Sequence, residues 1–143
     1  MAVIQRPRDG ALLVSEHTNP LGDPFHRPLG GHVEFGEYAL DTVHREFQEE
    51  IRQRLTGVRL LGVLENIFQW DGALQHEVVF MFTASFADMA AYEIPEQRIL
   101  DDADGGTRVI WRTRDTPGPP LYPDGLADLI TQAGRLTSTG PQP

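Results

Sequence analysis

The sequence contains no cysteine, which excludes disulfide bonds and thiolate zinc sites. It has no apolar run of about 18 residues, and no basic segment followed by an apolar one, so it indicates neither a membrane span nor a signal peptide. We therefore predict a cytoplasmic protein without a membrane partner. With 143 residues and 40% apolar content, the chain is expected to form one domain around a single core.

Basic residues are also scarce. The chain has 12 lysines and arginines against 21 aspartates and glutamates, which gives a formal net charge of −9. This balance argues against a protein that binds duplex nucleic acid, because such proteins present positive charge to the phosphates. An anionic small molecule would need a metal ion or a local basic patch in order to dock.

The most informative stretch runs from Gly30 to Glu50 and reads GGHVEFGEYALDTVHREFQEE. If its second half is helical, Glu46, Glu49 and Glu50 lie on one side, because residues three and four apart are neighbours on a helix surface. Like charges at this spacing repel by about a few tenths of a kcal/mol per pair, so helix stability does not explain this acid cluster. A divalent cation would explain the cluster, since Mg²⁺ binds through few carboxylates and shares its coordination shell with substrate phosphates.

The same segment carries an apolar stripe on another side, as expected for a helix that packs on a core. Glu37 and Asp41 in the predicted first turn complement the helix dipole. Arg52 and Arg54 in the last turn do the same, and Gly57 is a stop signal, so we expect the helix to continue to about Gly57. The predicted core positions are Leu40, Val43, Phe47, Ile51 and Leu55.

The spacing around the acid cluster resembles the Nudix box. That pattern is a glycine, five residues, a glutamate, seven residues, and then Arg-Glu, a bulky apolar residue, any residue and Glu-Glu. It closes with any residue, a glycine and another bulky apolar residue, where this sequence has Arg52 and Gln53. The residues that carry the resemblance are Gly31, Glu37, Arg45, Glu46, Phe47, Glu49 and Glu50.

The resemblance implies the Nudix fold, an α/β fold with a mixed β-sheet sandwiched between α-helices. We expect a single domain over residues 1–136 and a disordered tail over residues 137–143. The apolar run 78–82 predicts a strand covered on both faces. The other predicted elements are a hairpin over 2–16 with an Asp9-Gly10 turn, a polar loop over 17–28, strands over 60–70, 77–86 and 109–111, a turn at Asp71-Gly72, and a helix over 125–133.

By position, the resemblance assigns Glu46 and Glu50 as ligands of a Mg²⁺ or Mn²⁺ ion, with Glu49 either joining them or activating water. The backbone carbonyl of Gly30 would complete the protein's share of the metal shell. A general base near neutral pH needs a raised carboxyl pKa, which crowding among like charges provides. We choose Glu49 as that base.

The resemblance also pairs Glu37 with Arg45, which would hold the acid cluster in place, and makes Glu37 a ligand if a second metal binds. In the loop ahead of the box, Arg27 is the candidate for a phosphate contact, because its guanidinium fork suits that geometry. His32 in the glycine loop is a second candidate for substrate binding. Some enzymes of the Nudix family carry an extra catalytic carboxylate after the long strand. This sequence has Asp88, Glu93 and Glu96 there and does not choose among them.

The implied activity is Mg²⁺-dependent hydrolysis of the pyrophosphate linkage of a nucleoside diphosphate joined to another moiety. The sequence leaves the substrate open among nucleoside triphosphates, ADP-ribose, dinucleoside polyphosphates and sugar nucleotides. It also leaves open whether the protein forms a homodimer. Two other functions compete: a catalytically inactive nucleotide-binding sensor or regulatory module with the same fold, and an acidic metal-binding domain without nucleotide chemistry. The presence of all five charged box residues argues against an inactive module: Glu37, Arg45, Glu46, Glu49 and Glu50.

Overall fold

The computed structural model describes residues 1–100, 106–113 and 117–138. Strands form two sheets, and two α-helices pack on them. The elements are β1 Ala2–Ile4, β2 Leu12–Thr18, β3 Pro24–Arg27, α1 Ala39–Ile51, β4 Leu55–Trp70, β5 Ala73–Phe86, a short 3₁₀ helix Met89–Glu93, β6 Glu96–Arg98, β7 Arg108–Arg112 and α2 Leu126–Ser138.

The first sheet has the strand order β1-β5-β4 and is mixed, because β1 runs parallel to β5 while β4 runs antiparallel to it. The second sheet has the order β3-β2-β7-β6 and is antiparallel throughout. This arrangement confirms the predicted α/β architecture. None of the helices in the described ranges is long and apolar enough to cross a membrane.

Helix α1 packs its apolar side against both sheets. Val43, Phe47 and Ile51 share one core cluster with Ile4 of β1 and Leu13 of β2. Burial of such side chains stabilises each by about 1.5–3 kcal/mol, so the helix is held firmly on its apolar side. The neighbouring side, which carries the acid cluster, therefore has a fixed orientation.

Helix α2 packs on a second core cluster. Its residues Leu126 and Ile130 lie with Val79 and Met81 of β5 and Val14 of β2. The helix begins at Leu126 and runs to Ser138, which is longer than the predicted helix over 125–133. The first two residues of the predicted tail are thus helical, and residues 139–143 lie outside the described ranges.

The predicted hairpin over residues 2–16 is wrong. Strand β1 pairs with β5 in the register Ala2↔Phe82 and Ile4↔Ala84, and β2 belongs to the other sheet. A single bridge between Gln5 and Leu12 is what remains of the expected pairing. The turn at residues 9–10 does form, but a turn signal is local and does not choose the partner of each strand, which depends on long-range burial.

The predicted end of the first helix is also wrong. Helix α1 ends at Ile51, and Arg52 adopts the left-handed conformation with φ 56°. The backbone N–H groups of Arg52 and Gln53 donate to the carbonyls of Gln48 and Phe47, both at 3.2 Å. The bond from the left-handed Arg52 to the carbonyl four residues earlier is the αL capping motif, which favours glycine at the left-handed position.

Two of the predicted stripe positions also differ from expectation. Leu40 is 43% exposed and does not join the core. Leu55 is buried, but it belongs to β4 because the helix has already ended.

Strands β4 and β5 form a longer hairpin than predicted. Its turn at Asp71 and Gly72 is confirmed, with φ values of 50° and 76° that match a type I′ turn. The prediction that the run 78–82 is covered on both faces is wrong, since Val78 is 61% and Phe80 39% exposed. The reason is topological: β1 pairs with β5 at residues 82–84, so the rest of the hairpin extends as a two-stranded ribbon.

The segment predicted as a polar loop over residues 17–28 contains strand β3. It pairs with β2 in the register Ser15↔Arg27 and Thr18↔Pro24. Strand β7 confirms the prediction over 109–111, whereas β6 and the 3₁₀ helix were not predicted. Strand β3 matters for the site, because it carries Arg27 opposite Ser15 in the middle of β2.

Candidate active site

The glycine turn before α1 lies directly against the acid cluster. An ideal β-carbon placed on Gly31 would be 2.2 Å from Oε1 of Glu46, so only a hydrogen side chain leaves room for that carboxylate. The backbone N–H of Gly30 donates to Oε2 of Glu50 at 3.2 Å. The turn and the helix therefore form one structural unit, in which the backbone contacts two of the three clustered carboxylates.

Arg45 is the centre of a network of charged hydrogen bonds. Its Nε and Nη2 atoms donate to the two carboxylate oxygens of Glu37 at 2.9 and 3.0 Å, a bidentate pair. Its Nη1 atom donates to Glu46 at 2.8 Å and to Glu49 at 3.0 Å. The pair with Arg45, followed by a hydrogen bond from Thr42, lowers the pKa of the Glu37 carboxyl to about 2. Arg45 thus holds three acidic side chains in a fixed arrangement.

Glu50 has a different environment from its two neighbours. It makes no ion pair with any described residue, and its carboxylate accepts the Gly30 N–H. Burial, and then the nearby charge of Glu46, raise the pKa of the Glu50 carboxyl to about 7, while Arg27 opposes that shift. This carboxylate is therefore the one in the cluster that most lacks a compensating positive charge.

The three acidic side chains face one cavity of about 560 Å³, which we call the acidic cavity. Arg27 of β3 lies in its wall beside Glu46, Glu49 and Glu50. The other lining residues come from distant segments, and no sequence pattern brings them together. They are Glu16, His17, Thr18, Trp70, Ile99 and Thr107.

Arg27 is placed to receive an anion. Among the residues that the structure describes, its buried Nε atom has no hydrogen-bond partner and no carboxylate forms an ion pair with its guanidinium. A buried donor without a partner costs about 1–3 kcal/mol, a cost that a bound acceptor would remove. Arg27 lines the acidic cavity and also the larger cavity beside it.

This larger cavity has a volume of about 870 Å³, and we call it the aromatic cavity. It shares His17, Arg27 and Trp70 with the acidic cavity, so the two cavities adjoin in one cleft region. Phe25 packs edge-on against Trp70 and Tyr122, with ring centroids 6.2 and 5.5 Å apart. A cavity of this size accommodates an organic ligand of nucleotide size.

The family model described as the NUDIX domain matches residues 1–117. The chain belongs to the Nudix family. No individual curated protein matches it. Nudix membership confirms the predicted fold and supports the general activity of a hydrolase that cleaves pyrophosphate linkages in small molecules.

The Nudix box explains most of the site residues that the sequence singled out. It brings together Glu37, Arg45 and the acid cluster, and strand β3 adds Arg27. His32 is different, because its imidazole is exposed and lines neither cavity, while its backbone carbonyl accepts a hydrogen bond from Arg45 at 3.2 Å. Its substrate-binding role stays a prediction.

The carboxylates considered as extra catalytic groups lie outside both cavities. Asp88 accepts the N–H of Ala90 at 2.9 Å and begins the 3₁₀ helix. Glu93 pairs with Arg8 at 3.0 Å, and Glu96 pairs with Arg108 at 2.8 Å. Each therefore has a structural partner that accounts for it.

The Nudix acid cluster suits a hard divalent cation in its chemistry, since it offers several carboxylate oxygens and no sulfur. Within the described ranges, no three Asp, Glu or His side chains converge closely enough to hold a metal ion. The reason is visible in the network, because Arg45 holds Glu46 and Glu49 toward itself. A cation at this site would compete with Arg45 for those two carboxylates.

Proposed function

We propose that this Nudix protein is a Mg²⁺-dependent, or Mn²⁺-dependent, pyrophosphohydrolase that acts on a nucleoside diphosphate joined to another moiety. The observation that carries the proposal is the cleft itself. Its acidic cavity is lined by three carboxylates of the Nudix box and by Arg27, whose buried Nε has no partner. Carboxylates and a guanidinium that line the same cavity suit a phosphate chain that is bound through a cation and a direct contact.

Glu46 and Glu50 are the proposed metal ligands, together with the carbonyl of Gly30. The side chain of Glu46 is 15% exposed and touches the glycine turn, and Glu50 accepts the Gly30 N–H. Both carboxylates are therefore held near the backbone of the turn. A bound Mg²⁺ would neutralise phosphate oxygens and lower the pKa of a coordinated water.

Glu49 is the proposed general base because of its access to water, although the raised pKa expected of a base belongs to Glu50, which is assigned to the metal. The side chain of Glu49 is 44% exposed, so it is the member of the acid cluster that water reaches most easily. It would accept the proton of the attacking water, while Arg45 holds its carboxylate in position through the contact at 3.0 Å. Glu37 would act through Arg45, because the bidentate pair fixes the guanidinium that orients the other acids.

Arg27 is proposed to bind a phosphate of the substrate. Its position between the two cavities would place the phosphate chain beside the acid cluster and direct the rest of the molecule into the aromatic cavity. The fork of the guanidinium can donate two parallel hydrogen bonds to phosphate oxygens.

The test is phosphate release from a panel of nucleoside triphosphates, ADP-ribose, dinucleoside polyphosphates and sugar nucleotides, with Mg²⁺, Mn²⁺ or EDTA. Product analysis in isotopically labelled water locates the broken bond. We expect turnover only when Mg²⁺ or Mn²⁺ is present. Glu50→Gln should lower the rate of hydrolysis by at least about 100-fold, since removing even an outer partner of a metal site costs 10–100-fold. Glu65→Gln, a glutamate on the exposed face of the hairpin, is the control.

Two outcomes would contradict this proposal. Near-normal activity of Glu50→Gln would remove Glu50 from the catalytic site. Binding of nucleotides without turnover of any of them would favour the alternative, an inactive Nudix-fold sensor.

A further inference from the structure

The hairpin of β4 and β5 has two faces with different surroundings, because side chains alternate between the faces along each strand. The inner face lines the aromatic cavity, with Asn66, Phe68 and Trp70 of β4 and Gln75, Glu77 and Val79 of β5. The other face lies beyond the point where β1 stops pairing with β5. We call it the outer face, and its residues are Val63, Glu65, Ile67 and Gln69 of β4 and Leu74, His76, Val78 and Phe80 of β5.

Large apolar side chains dominate the outer face. Those of Val63, Ile67, Leu74, Val78 and Phe80 are between 39% and 71% exposed. They are cross-strand or diagonal neighbours in the ladder, since Val63 lies opposite Phe80 and the other three follow toward the turn. Together they present on the order of 500 Å² of contiguous apolar surface, which is the size of the largest patch on a typical monomer and often has a function.

Two kinds of occupant match this surface poorly. The segments of the chain outside the described ranges are 101–105, 114–116 and 139–143, and none of them contains a large apolar residue. Surfaces that bind membranes combine apolar side chains with lysines or arginines, and the outer face has neither. The surface that fits the outer face is therefore an apolar face of a protein.

The charge of the chain favours a second copy at this face. The ionisable side chains of the outer face are Glu65 and His76, and they hydrogen-bond to each other, with Nε2 of His76 2.7 Å from Oε1 of Glu65. The whole chain has a formal net charge of −9, so two copies repel each other where their acidic residues meet. The outer face, with a single carboxylate, lets them approach at a low electrostatic cost.

The size of the outer face also suits a dimer. With the polar side chains of Glu65, Gln69 and His76, it offers on the order of 800 Å², which is what each partner buries in a specific interface of standard size. A two-fold axis brings the same face of both copies together, so the apolar residues of one copy meet those of the other. The bond between Glu65 and His76 gives both groups a partner within their own copy.

We propose that two copies of this chain form a dimer by packing their outer faces together. The two hairpins lie face to face, as packed sheets do at a spacing of about 10 Å. The inner faces and the cleft stay accessible, because they lie on the other side of each hairpin. The proposal is independent of the proposed hydrolase activity, since it uses no residue of the cleft.

The test is sedimentation velocity of the full chain over about 1–100 µM, where an interface of this size should give a dimer. In the variant that combines Ile67→Thr with Val78→Thr, both strand positions keep a β-branched residue, so the monomer should fold. The two hydroxyl groups would lie unpaired in the interface and weaken dimerisation by at least about tenfold. Circular dichroism checks that the variant is folded.

The matched control combines Leu21→Thr with Met89→Thr, because both residues are apolar, exposed and outside the hairpin. It should leave the dissociation constant of the dimer unchanged. A wild-type chain that stays monomeric at about 100 µM would overturn the proposal. A dimer that the folded hairpin variant forms equally well would do the same, since its interface would lie elsewhere. Binding of a monomeric chain to phosphatidylcholine vesicles would assign the outer face to lipid and overturn the dimer as well.

Discussion

The carboxylate of Glu46 occupies the space where a side chain of residue 31 would lie, 2.2 Å from the β-carbon position of Gly31. The glycine of the Nudix box is therefore required by a neighbouring side chain and not by its own backbone, since its φ angle is not among the positive ones. The contact is with the flexible end of a glutamate, so a larger residue would displace that carboxylate without unfolding the helix.

We predict that Gly31→Ala keeps the fold and loses the response to metal. Millimolar Mg²⁺ should raise the melting temperature of the wild-type protein by about 2–4 °C, which corresponds to about 1 kcal/mol for a chain of this size. The variant should show a smaller shift and at least about a tenfold loss of hydrolysis, a typical cost of disturbing a metal ligand. Gly134→Ala, at a helix position with open space around it, is the control. If Mg²⁺ raised the melting temperature of Gly31→Ala as much as that of the wild type, Glu46 would not need this space.

A second prediction concerns the residue that replaces the family's glycine after α1. Arg52 is left-handed with φ 56°, a conformation that costs about 1–2 kcal/mol for a residue other than glycine. Arg52→Gly should raise the free energy of unfolding by up to about 1 kcal/mol, after the extra backbone entropy of glycine is subtracted. Urea denaturation measures it. Arg54→Gly, at a position without positive φ, should be destabilising instead. A stabilising effect of Arg54→Gly would contradict the conclusion that the gain at residue 52 comes from its left-handed conformation.

The third prediction uses the pH dependence of stability in EDTA. The Glu50 carboxyl has its pKa raised from 4.5 to about 7 by burial and by Glu46. Between these values the folded protein binds more protons at this site than the unfolded chain does, so stability is lost as pH rises through this window. Glu50→Gln should therefore be more stable than the wild type at pH 8, by up to about 3 kcal/mol, and equal to it below about pH 4. The free energies of unfolding of the two proteins are measured by urea denaturation at each pH. If their difference did not change between about pH 4 and pH 8, the charge of Glu50 would not be unfavourable.

The fourth prediction separates the charge of Arg27 from its shape. Arg27→Gln should lower kcat/KM by about 10–100-fold, because charged hydrogen bonds contribute about 1.5–3 kcal/mol. Arg27→Lys should recover part of this loss but not all of it, since lysine lacks the planar fork. Arg59→Gln, an exposed arginine on β4, provides the control. Equal activity of the glutamine variant and the wild type would mean that the phosphate chain does not reach β3.

The acid cluster and the turn of the long hairpin could be predicted because both depend on local spacing. Residues 46, 49 and 50 fall together on any α-helix, and Arg45 is adjacent to them by the same rule. The pair Asp71-Gly72 forms its turn from the conformational preferences of two neighbouring residues. The predicted end of α1 was wrong because arginine disfavours the left-handed conformation, so the local sequence does not mark Arg52 as the end of the helix. In the folded protein, the hydrogen bonds at the helix end hold Arg52 in that conformation.

By itself, the sequence determined that three carboxylates and an arginine lie close together on one helix, since helical periodicity requires it. Only the tertiary structure decided that β1 pairs with β5, that Arg27 meets the acid cluster, and that Asn66 and Glu77 face a cavity. These relationships join residues far apart in the chain, and they depend on which apolar faces are buried together. Local patterns carry no information on that choice, because the same strand can pair with several partners until the whole core is assembled.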